Sequence, residues 1–395
     1  MNPRHSSVLR PLVLLLVLTC CSVLPAQTLL VQDDVVTRVT ISATTITLAG
    51  RGELLVTGSG DPLPGCTVHF NSPDAWLRLP AVLPSAVQST LLSRFRVSGA
   101  NAVPGTNLRI VQHTQGAVVM AHGDDFPAFE AFDARSFAGS RKLLYPYAEY
   151  DGTSLGRMDA AIQSFRLRRG YMASVATAEN GTGTSRVYIA QDGDLEVGRL
   201  PDSLENAIRF VRIFPWRWVS KKGFAGNIGG NLRPAWWYNW NLDQNSSLNR
   251  EYVAIRQTRW WPGLDQNWKT RGINHLLGYN EPDHPDQANL SVSEAIAGWP
   301  DLLGTGLRVG APAITDGGKA WLTDFMSRAN AAGLRVDFVY RKTFMINDRE
   351  FAGSFEARNL SGTDAEEYQK AGGKRFETNS FKVGRTFSLG LTAKF

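Results

Sequence analysis

Disulfide cross-links are the first thing this 395-residue chain lacks the means to build. It carries three cysteines. Two of them, Cys20 and Cys21, fall in an N-terminal apolar stretch, which leaves Cys66 alone. A chain with one remaining thiol must be held by its core. Long apolar runs are missing as well. The stretch from Leu12 to Leu18 is too short to cross a bilayer as a helix. Clustered positive charge is scarce: the net charge is +6, yet no basic cluster exceeds Arg166-Leu167-Arg168-Arg169. The basicity therefore reads as dispersed surface charge, and no nucleic-acid partner is expected. Gly304-x-Gly306 precedes a strand instead of following one, which argues against a dinucleotide fingerprint. No cofactor or metal is implied. The remaining composition, 43% hydrophobic and 20% charged, is that of an ordinary globular protein with room for two or three domains.

Residues 1–27 read as a secretory signal, with Arg4, His5 and Arg10 before the apolar run and Leu24-Pro25-Ala26-Gln27 as a small-residue cleavage site. The expectation is an exported protein: secreted, periplasmic or associated with an outer membrane. Residues 28–227 read as a β-rich, sandwich-like accessory region. Val39-Thr40-Ile41-Ser42 and Thr45-Ile46-Thr47-Leu48 alternate, Glu53 to Thr57 follows a Gly-Arg-Gly turn, and Gly and Pro recur at short intervals. Gly152-Thr153-Ser154-Leu155-Gly156 has the spacing of a nucleophile elbow. The polar stretch before it, Tyr147 to Asp151, is unsuited to the buried strand such an elbow needs, so a chance match is expected. From Ser164 to Ile213 the order of segments resembles a crystallin-like Greek-key unit.

The composition shifts between Phe210 and Trp268. Eight of the 11 tryptophans fall here: Trp216, Trp218, Trp236, Trp237, Trp240, Trp260, Trp261 and Trp268. Large aromatics bury area, so a tryptophan-rich core is one reading. Trp237-Tyr238-Asn239-Trp240 and Arg259-Trp260-Trp261-Pro262 also set rings beside amides and a guanidinium. That combination suits the apolar faces and hydroxyl rims of sugars.

Leu276-Leu277-Gly278-Tyr279-Asn280-Glu281-Pro282-Asp283 is an apolar run ending in an amide and a carboxylate. One reading is a turn, favoured by Pro and Asp. The other is a general acid/base at the mouth of a buried strand. Ser291 and Glu294 have capping-box spacing before a helix that Pro300 is expected to break or kink. Leu307 to Ala313 reads as a strand. Trp321, Phe325 and Ala329 mark a second helix stopped by Gly333, and Val336-Asp337-Phe338-Val339 reads as another short strand. Strands alternating with helices in this way indicate a parallel sheet.

These motifs, taken in order from Pro234 to Val339, resemble glycoside hydrolase family 128. The resemblance rests on Trp237-Tyr238-Asn239-Trp240, Trp260-Trp261-Pro262-Gly263, Leu277 to Asp283, Gly310-Ala311-Pro312-Ala313 and Val336 to Val339. It implies a (β/α)8 TIM-type barrel acting on β-1,3-glucan by a retaining mechanism. Glu281 would be the acid/base and Asn280 would hold a sugar hydroxyl. Tyr279, Asp283, Trp237, Tyr238, Asn239, Trp240, Trp260 and Trp261 would contact substrate. A retaining mechanism also needs a nucleophile carboxylate about 5 Å from the acid/base. The family supplies it from a later strand that this sequence lacks. Residues 228–339 thus read as a truncated, incomplete barrel.

From Tyr340 the style changes, as at a junction of two unrelated reading frames. Phe387, Leu389, Leu391, Ala393 and Phe395 alternate with Thr386, Ser388, Gly390, Thr392 and Lys394. That pattern resembles the end of a TonB-dependent receptor, an outer-membrane barrel. Two or three strands cannot close a barrel. Residues 340–395 therefore read as a short β-strand tail, with outer-membrane association as the expectation it raises. The expected class is multidomain α/β plus β.

Overall fold

The computed structural model describes residues 27–219, 223–228, 232–346, 349–358, 365–371, 374–381 and 386–393. The expected leader at 1–27 lies outside them except for its last residue. No described helix is long and apolar enough to cross a membrane.

Residues 28–120 are β-rich and lie in two sheets, as expected, but most neighbouring strands pair parallel. Thr28–Gln32, Thr45–Ala49, Thr67–Phe70 and Phe95–Val97 pair parallel in one sheet. Val35–Arg38, Glu53–Val56 and Trp76–Leu79 pair parallel in a second. The chain alternates between the two sheets, so successive passes stack as coils. Register explains the arrangement. Leu29, Ile46, Val68 and Phe95 lie side by side across the first sheet, as do Val31, Leu48, Phe70 and Val97. Period-two alternation sends these residues inward, where nearly all are fully buried. Alternation alone does not separate stacked parallel coils from hairpins, because both bury one face. Gly116–Met120 and Arg109–Thr114 extend the second sheet with antiparallel pairing.

From Phe129 to Pro215 two four-stranded antiparallel sheets face each other. One holds Phe129–Phe132, Arg141–Leu144, Ser164–Leu167 and Leu195–Val197; the other holds Glu149–Asp151, Tyr171–Ala176, Ser185–Ala190 and Phe210–Pro215. Phe129 stacks on Phe165 at 4.7 Å between them, among buried Tyr171, Tyr188, Val211 and Ile213. Ser154 lies in a short helix, Gly152–Leu155, where its hydroxyl engages Asp151 in a capping box. It is an exposed cap, with no elbow geometry.

The basic run is not wholly a surface feature. Arg169 is buried, its guanidinium 3.0 Å from Glu53 and over the Trp76 ring at 4.1 Å. Arg168 pairs with Asp194 at 3.1 Å and Glu130 at 3.3 Å. The Arg169–Glu53 pair, with Arg51–Asp194 at 2.8 Å, joins the antiparallel unit to the stacked coils. The thiol of Cys66, the one cysteine among the described residues, is buried against the Ala43 carbonyl.

The third region is a run of parallel neighbours in chain order. Gly223–Ala225 pairs with Trp236–Tyr238, and that strand with Glu251–Tyr252. Ala254–Ile255 pairs with His275–Leu277, and that strand with Arg308–Val309. Single parallel bridges join Asn280 to Ala313 and Gly310 to Asp337. The helices Val292–Gly304 and Lys319–Ala331 lie in the two later connections. In the first, Ser291 and Glu294 form the expected reciprocal capping box. Pro300 does not break this helix, which continues to Gly304. An interior proline costs about 3 kcal/mol or more. Leu302 and Leu303 are fully buried on the same turn, and each contributes about 1.5–3 kcal/mol, which offsets that cost. In the second helix Trp321 stacks on Phe325 at 5.4 Å, and Gly333 closes it at φ +65°.

The parallel order ends at Asp337. Phe338–Ile346 pairs antiparallel with Arg349–Arg358, which pairs antiparallel with Thr386–Ala393, while Ala365–Ala371 and Lys374–Phe381 form a separate hairpin. The first strand of this tail thus crosses Val339–Tyr340 without a break.

Candidate active site

In a parallel sheet the C-terminal strand ends are where loops converge and ligands are held. Four segments meet at that edge. Tyr238 ends its strand and Trp240 follows it; Gln257 and Thr258 follow Ala254–Ile255; Asn280 and Glu281 follow His275–Leu277; Ala313 to Thr315 follow Arg308–Val309. Backbone hydrogen bonds fix their order. Asn280 N–H donates to the Gln257 carbonyl at 3.0 Å, and Glu281 N–H donates to the Ala313 carbonyl at 2.6 Å.

Glu281 occupies an unusual conformation at φ +43°. A non-glycine residue there costs on the order of 1–3 kcal/mol and persists only where its surroundings over-determine it. The surroundings are visible. Besides the bond to Ala313, Asp283 accepts from the Thr315 backbone N–H at 3.1 Å and from the Thr315 hydroxyl. The Pro282-Asp283 turn is thereby tied to the next strand's loop. Burial alone would raise the Asp283 carboxyl; the Thr315 bonds outweigh it and hold the carboxyl below its usual range.

Around Glu281 stand the residues expected to meet a ligand. Burial pushes the Tyr238 phenol up, and the neighbouring Glu281 charge pushes it further. Tyr238 meets Trp240 edge-on at 5.2 Å. Trp240, at φ +57°, is 39% exposed. Its indole N–H donates to Asn280 Oδ1 at 3.3 Å, while Asn280 Nδ2 donates to Gln287 Oε1 at 3.0 Å. These bonds assign both ends of the Asn280 amide and fix its plane.

Trp260 is 74% exposed and Trp261 47%. They ride on a turn in which Thr258 N–H donates to the Trp261 carbonyl at 2.8 Å. Buried Arg256 braces the turn from beneath through the Pro262 and Arg259 carbonyls. Arg259 lies over the Trp260 ring at 4.7 Å. Large indoles left in water on a braced loop are the kind of exposure that marks a binding surface.

Three expected contact residues are placed otherwise. Tyr279 is fully buried, packed on Trp299 at 5.7 Å. Strand alternation turns it inward, away from the edge that Asn280 faces. Asn239 makes three bonds within the protein, donating to Asn227 and Asp243 and accepting from the Tyr252 hydroxyl at 2.6 Å. Asp283 is engaged by Thr315, as described. Trp237 lies half-buried against Tyr252 at 4.8 Å. Trp216 and Trp218 belong to the core, as the burial reading of the tryptophan-rich stretch expects.

Gln257, Gln287 and Thr315 are the supporting residues that sequence reasoning passed over. Each acts through a backbone group or an orienting bond, and no motif spacing marks such roles.

Residues 216–356 match the family model described as the glycosyl hydrolase catalytic core. This assigns that stretch to the glycosidases at the level of family membership. Among solved structures, a GH128 (subgroup I) endo-β-1,3-glucanase from Amycolatopsis mediterranei, in complex with laminaritriose, is 36% identical. The likeness covers 30% of this chain and 56% of that one, with a TM-score of 0.27. A mutant of the same enzyme with laminaripentaose is 34% identical over the same shares, again at 0.27. The chain thus spans about half the length of these structures. A βγ-crystallin domain from Flavobacterium johnsoniae is 19% identical over 22% of this chain and 94% of its own, with a TM-score of 0.20. No curated protein matches the chain.

Proposed function

We propose that this chain binds β-1,3-glucan at the strand-end surface around Glu281, and that Glu281 is a glycosidase acid/base. The observation that carries the reading is the strained, braced Glu281 beside an oriented Asn280, at the ligand-bearing edge of a parallel sheet. The family match over 216–356 supports the glycosidase part. The substrate class follows the motif resemblance set out from the sequence.

In a retaining reaction Glu281 would protonate the departing glycosidic oxygen while a second carboxylate attacked the anomeric carbon. Glu281 would then deprotonate the water that releases the glycosyl-enzyme. Asn280, its amide plane fixed, would donate to the hydroxyl next to the anomeric carbon. Trp240, Trp260 and Trp261 would stack on sugar faces. The sequence offers no strand-end glutamate after Val339 to act as nucleophile, so hydrolysis by this chain is expected to be impaired.

The second reading is a non-catalytic glycan-binding protein of the envelope, favoured by the same exposed indoles. Its export would rest on residues 1–27, and its closing strands on the receptor-like pattern of 340–395. One experiment separates the two. Reducing-end release from β-1,3-glucan that Glu281→Gln abolishes supports the enzyme. Retention on a glucan affinity gel without release supports the binding protein. Absence of both defeats the common premise.

A further inference from the structure

The stacked coils end on an open edge. Thr28–Gln32 is the outermost strand of the first sheet and Val35–Arg38 the outermost of the second, so among the described residues each has a strand neighbour on one side only. The two strands form one coil, joined by Asp33 and Asp34. The interior of the coil is open on that side as well: Leu29 and Val36 pack on the core but are only partly buried. Leu30 is 58% exposed and Val35 68%. An exposed edge strand is a template for another strand, and folded proteins guard it with charge, proline or a bulge. Thr28–Gln32 has none of these.

The backbone determines which residues can receive a further strand. In a parallel ladder the N–H and C=O of one residue point to the same side. The Gln27 carbonyl accepts from the Thr45 N–H at 3.3 Å, the Asp34 carbonyl from Glu53 at 2.8 Å and the Arg38 carbonyl from Thr57 at 2.9 Å. Alternation then turns the backbone groups of Leu29, Val31 and Val36 toward the stack too. Those of Thr28, Leu30, Gln32, Val35 and Thr37 face outward. A copy of the chain related by a two-fold axis meets all five. On the first edge Leu30 lies opposite its own counterpart and Thr28 opposite Gln32. On the second Val35 lies opposite Thr37, which sets Val36 against its counterpart and Asp34 against Arg38, twice. Counted from the Asp33-Asp34 turn, Leu30 and Val36 face each other to within one residue, so one axis serves both edges. Leu29 then meets Val31 across the seam, and the apolar interior of the coils continues from one copy into the other.

We infer that two copies of this chain pair head to head through their first coils, Thr28–Gln32 against Thr28–Gln32 and Val35–Arg38 against Val35–Arg38, both antiparallel. Charge selects a second copy as the occupant. Asp34 and Arg38 are exposed and lie four residues apart on one face, and an antiparallel partner must present the same two charges in the same order to answer both. The copy supplies that order by symmetry. An isologous contact of this kind also closes on itself, so association stops at two. The inference does not depend on the glycosidase reading, since no residue of the Glu281 surface takes part.

The test follows the mass of the full chain by sedimentation equilibrium as concentration is varied. The expected result is a monomer–dimer equilibrium. Leu30→Lys sets two ammonium groups face to face and should weaken the dimer about tenfold, as edge lysines do in guarded sheets. Asp34→Arg and Arg38→Asp each set like charges opposite one another twice, and each should weaken it about tenfold. The double variant D34R/R38D restores the pairs in reverse and should recover most of the lost association. A chain that stays monomeric at every concentration overturns the inference. So does association that runs past two copies, or a dimer indifferent to Leu30→Lys and to the single charge reversals, since its contact then lies on another face. Both charged positions are exposed, so the reversal and its rescue decide even if Leu30→Lys fails to fold.

Discussion

Trp240 donates its indole N–H to the side-chain carbonyl of Asn280 across 3.3 Å. The two residues close different strands, and the bond sets the direction of the amide beside Glu281. Replacing Trp240 with Phe keeps a ring and removes the donor. A net hydrogen bond contributes about 0.5–1.5 kcal/mol, so Trp240→Phe is expected to weaken glucan binding several-fold. Trp240→Ala should weaken it further through loss of stacking. Affinity electrophoresis on glucan gels measures both, and equal behaviour of the two variants would sink the orienting role.

Tyr279 gives a test of burial against binding. As a core residue packed on Trp299, it should tolerate Phe with a loss below about 1.5 kcal/mol. Truncation to Ala is expected to cost about 3–5 kcal/mol by analogy with other large aromatics. Urea midpoints report the stability, and unchanged glucan affinity in Tyr279→Phe is the accompanying expectation. A Phe variant of normal stability that lost binding would return Tyr279 to the contact surface.

Glu251 is fully buried with His275 at 2.7 Å. Burial alone would raise its carboxyl, but His275 and Arg217 outweigh that and hold it below its ordinary value. The sign follows directly. A carboxylate depressed on folding stabilises the protein above its unfolded pKa, about 4.3, and that contribution is lost as pH falls through the lower folded value. Stability measured by urea midpoint should therefore fall on acidification below about pH 4.3. Removing one partner with Glu251→Ala should cost about 3–5 kcal/mol at neutral pH and flatten the acid limb. An unaltered acid limb in the variant would assign the loss to other carboxylates.

Ser291 accepts from the Glu294 N–H, and Glu294 returns a 2.8 Å bond to the Ser291 N–H. Ser291→Ala is expected to lose about 1 kcal/mol, and Ser291→Asp to lose less. Differential scanning calorimetry resolves the order, and an Ala variant as stable as the original would show that the helix is held by its buried face alone.

Local chemistry was the legible part of this sequence. The capping box at Ser291, the apolar face of Trp321, Phe325 and Ala329, the stop at Gly333 and the placement of Asn280-Glu281 after a strand each depend on a few neighbouring residues. Relations between distant strands were hidden. Alternation in Thr45 to Leu48 or Glu53 to Val56 specifies an inward face without saying whether the next strand runs parallel or antiparallel. Pro300 did not end its helix for a related reason: its local penalty is real, but Trp299, Leu302 and Leu303 pack in a core built from residues far along the chain. At the site, the carboxylate and the exposed indoles were visible as residue types. Asn239, Tyr279 and Asp283 were not separable from them, because only three-dimensional partners show that their polar groups or rings are already engaged.

The tryptophan-rich core has a practical corollary. Trp76 from the stacked coils, Met172 and Phe214 from the antiparallel unit, and Trp216, Tyr252 and Leu276 near or within the parallel region all belong to one contiguous apolar cluster. The molecule looks modular along its sequence, yet its hydrophobic interior does not respect the seams. A gene fragment trimmed to begin at residue 228 would lose Trp76, Met172, Phe214, Trp216 and Trp218 from that cluster. Shuffling this sheet onto a foreign accessory domain would fail for the same reason. The upstream regions work less like a removable appendage than like the floor on which the parallel strands are laid.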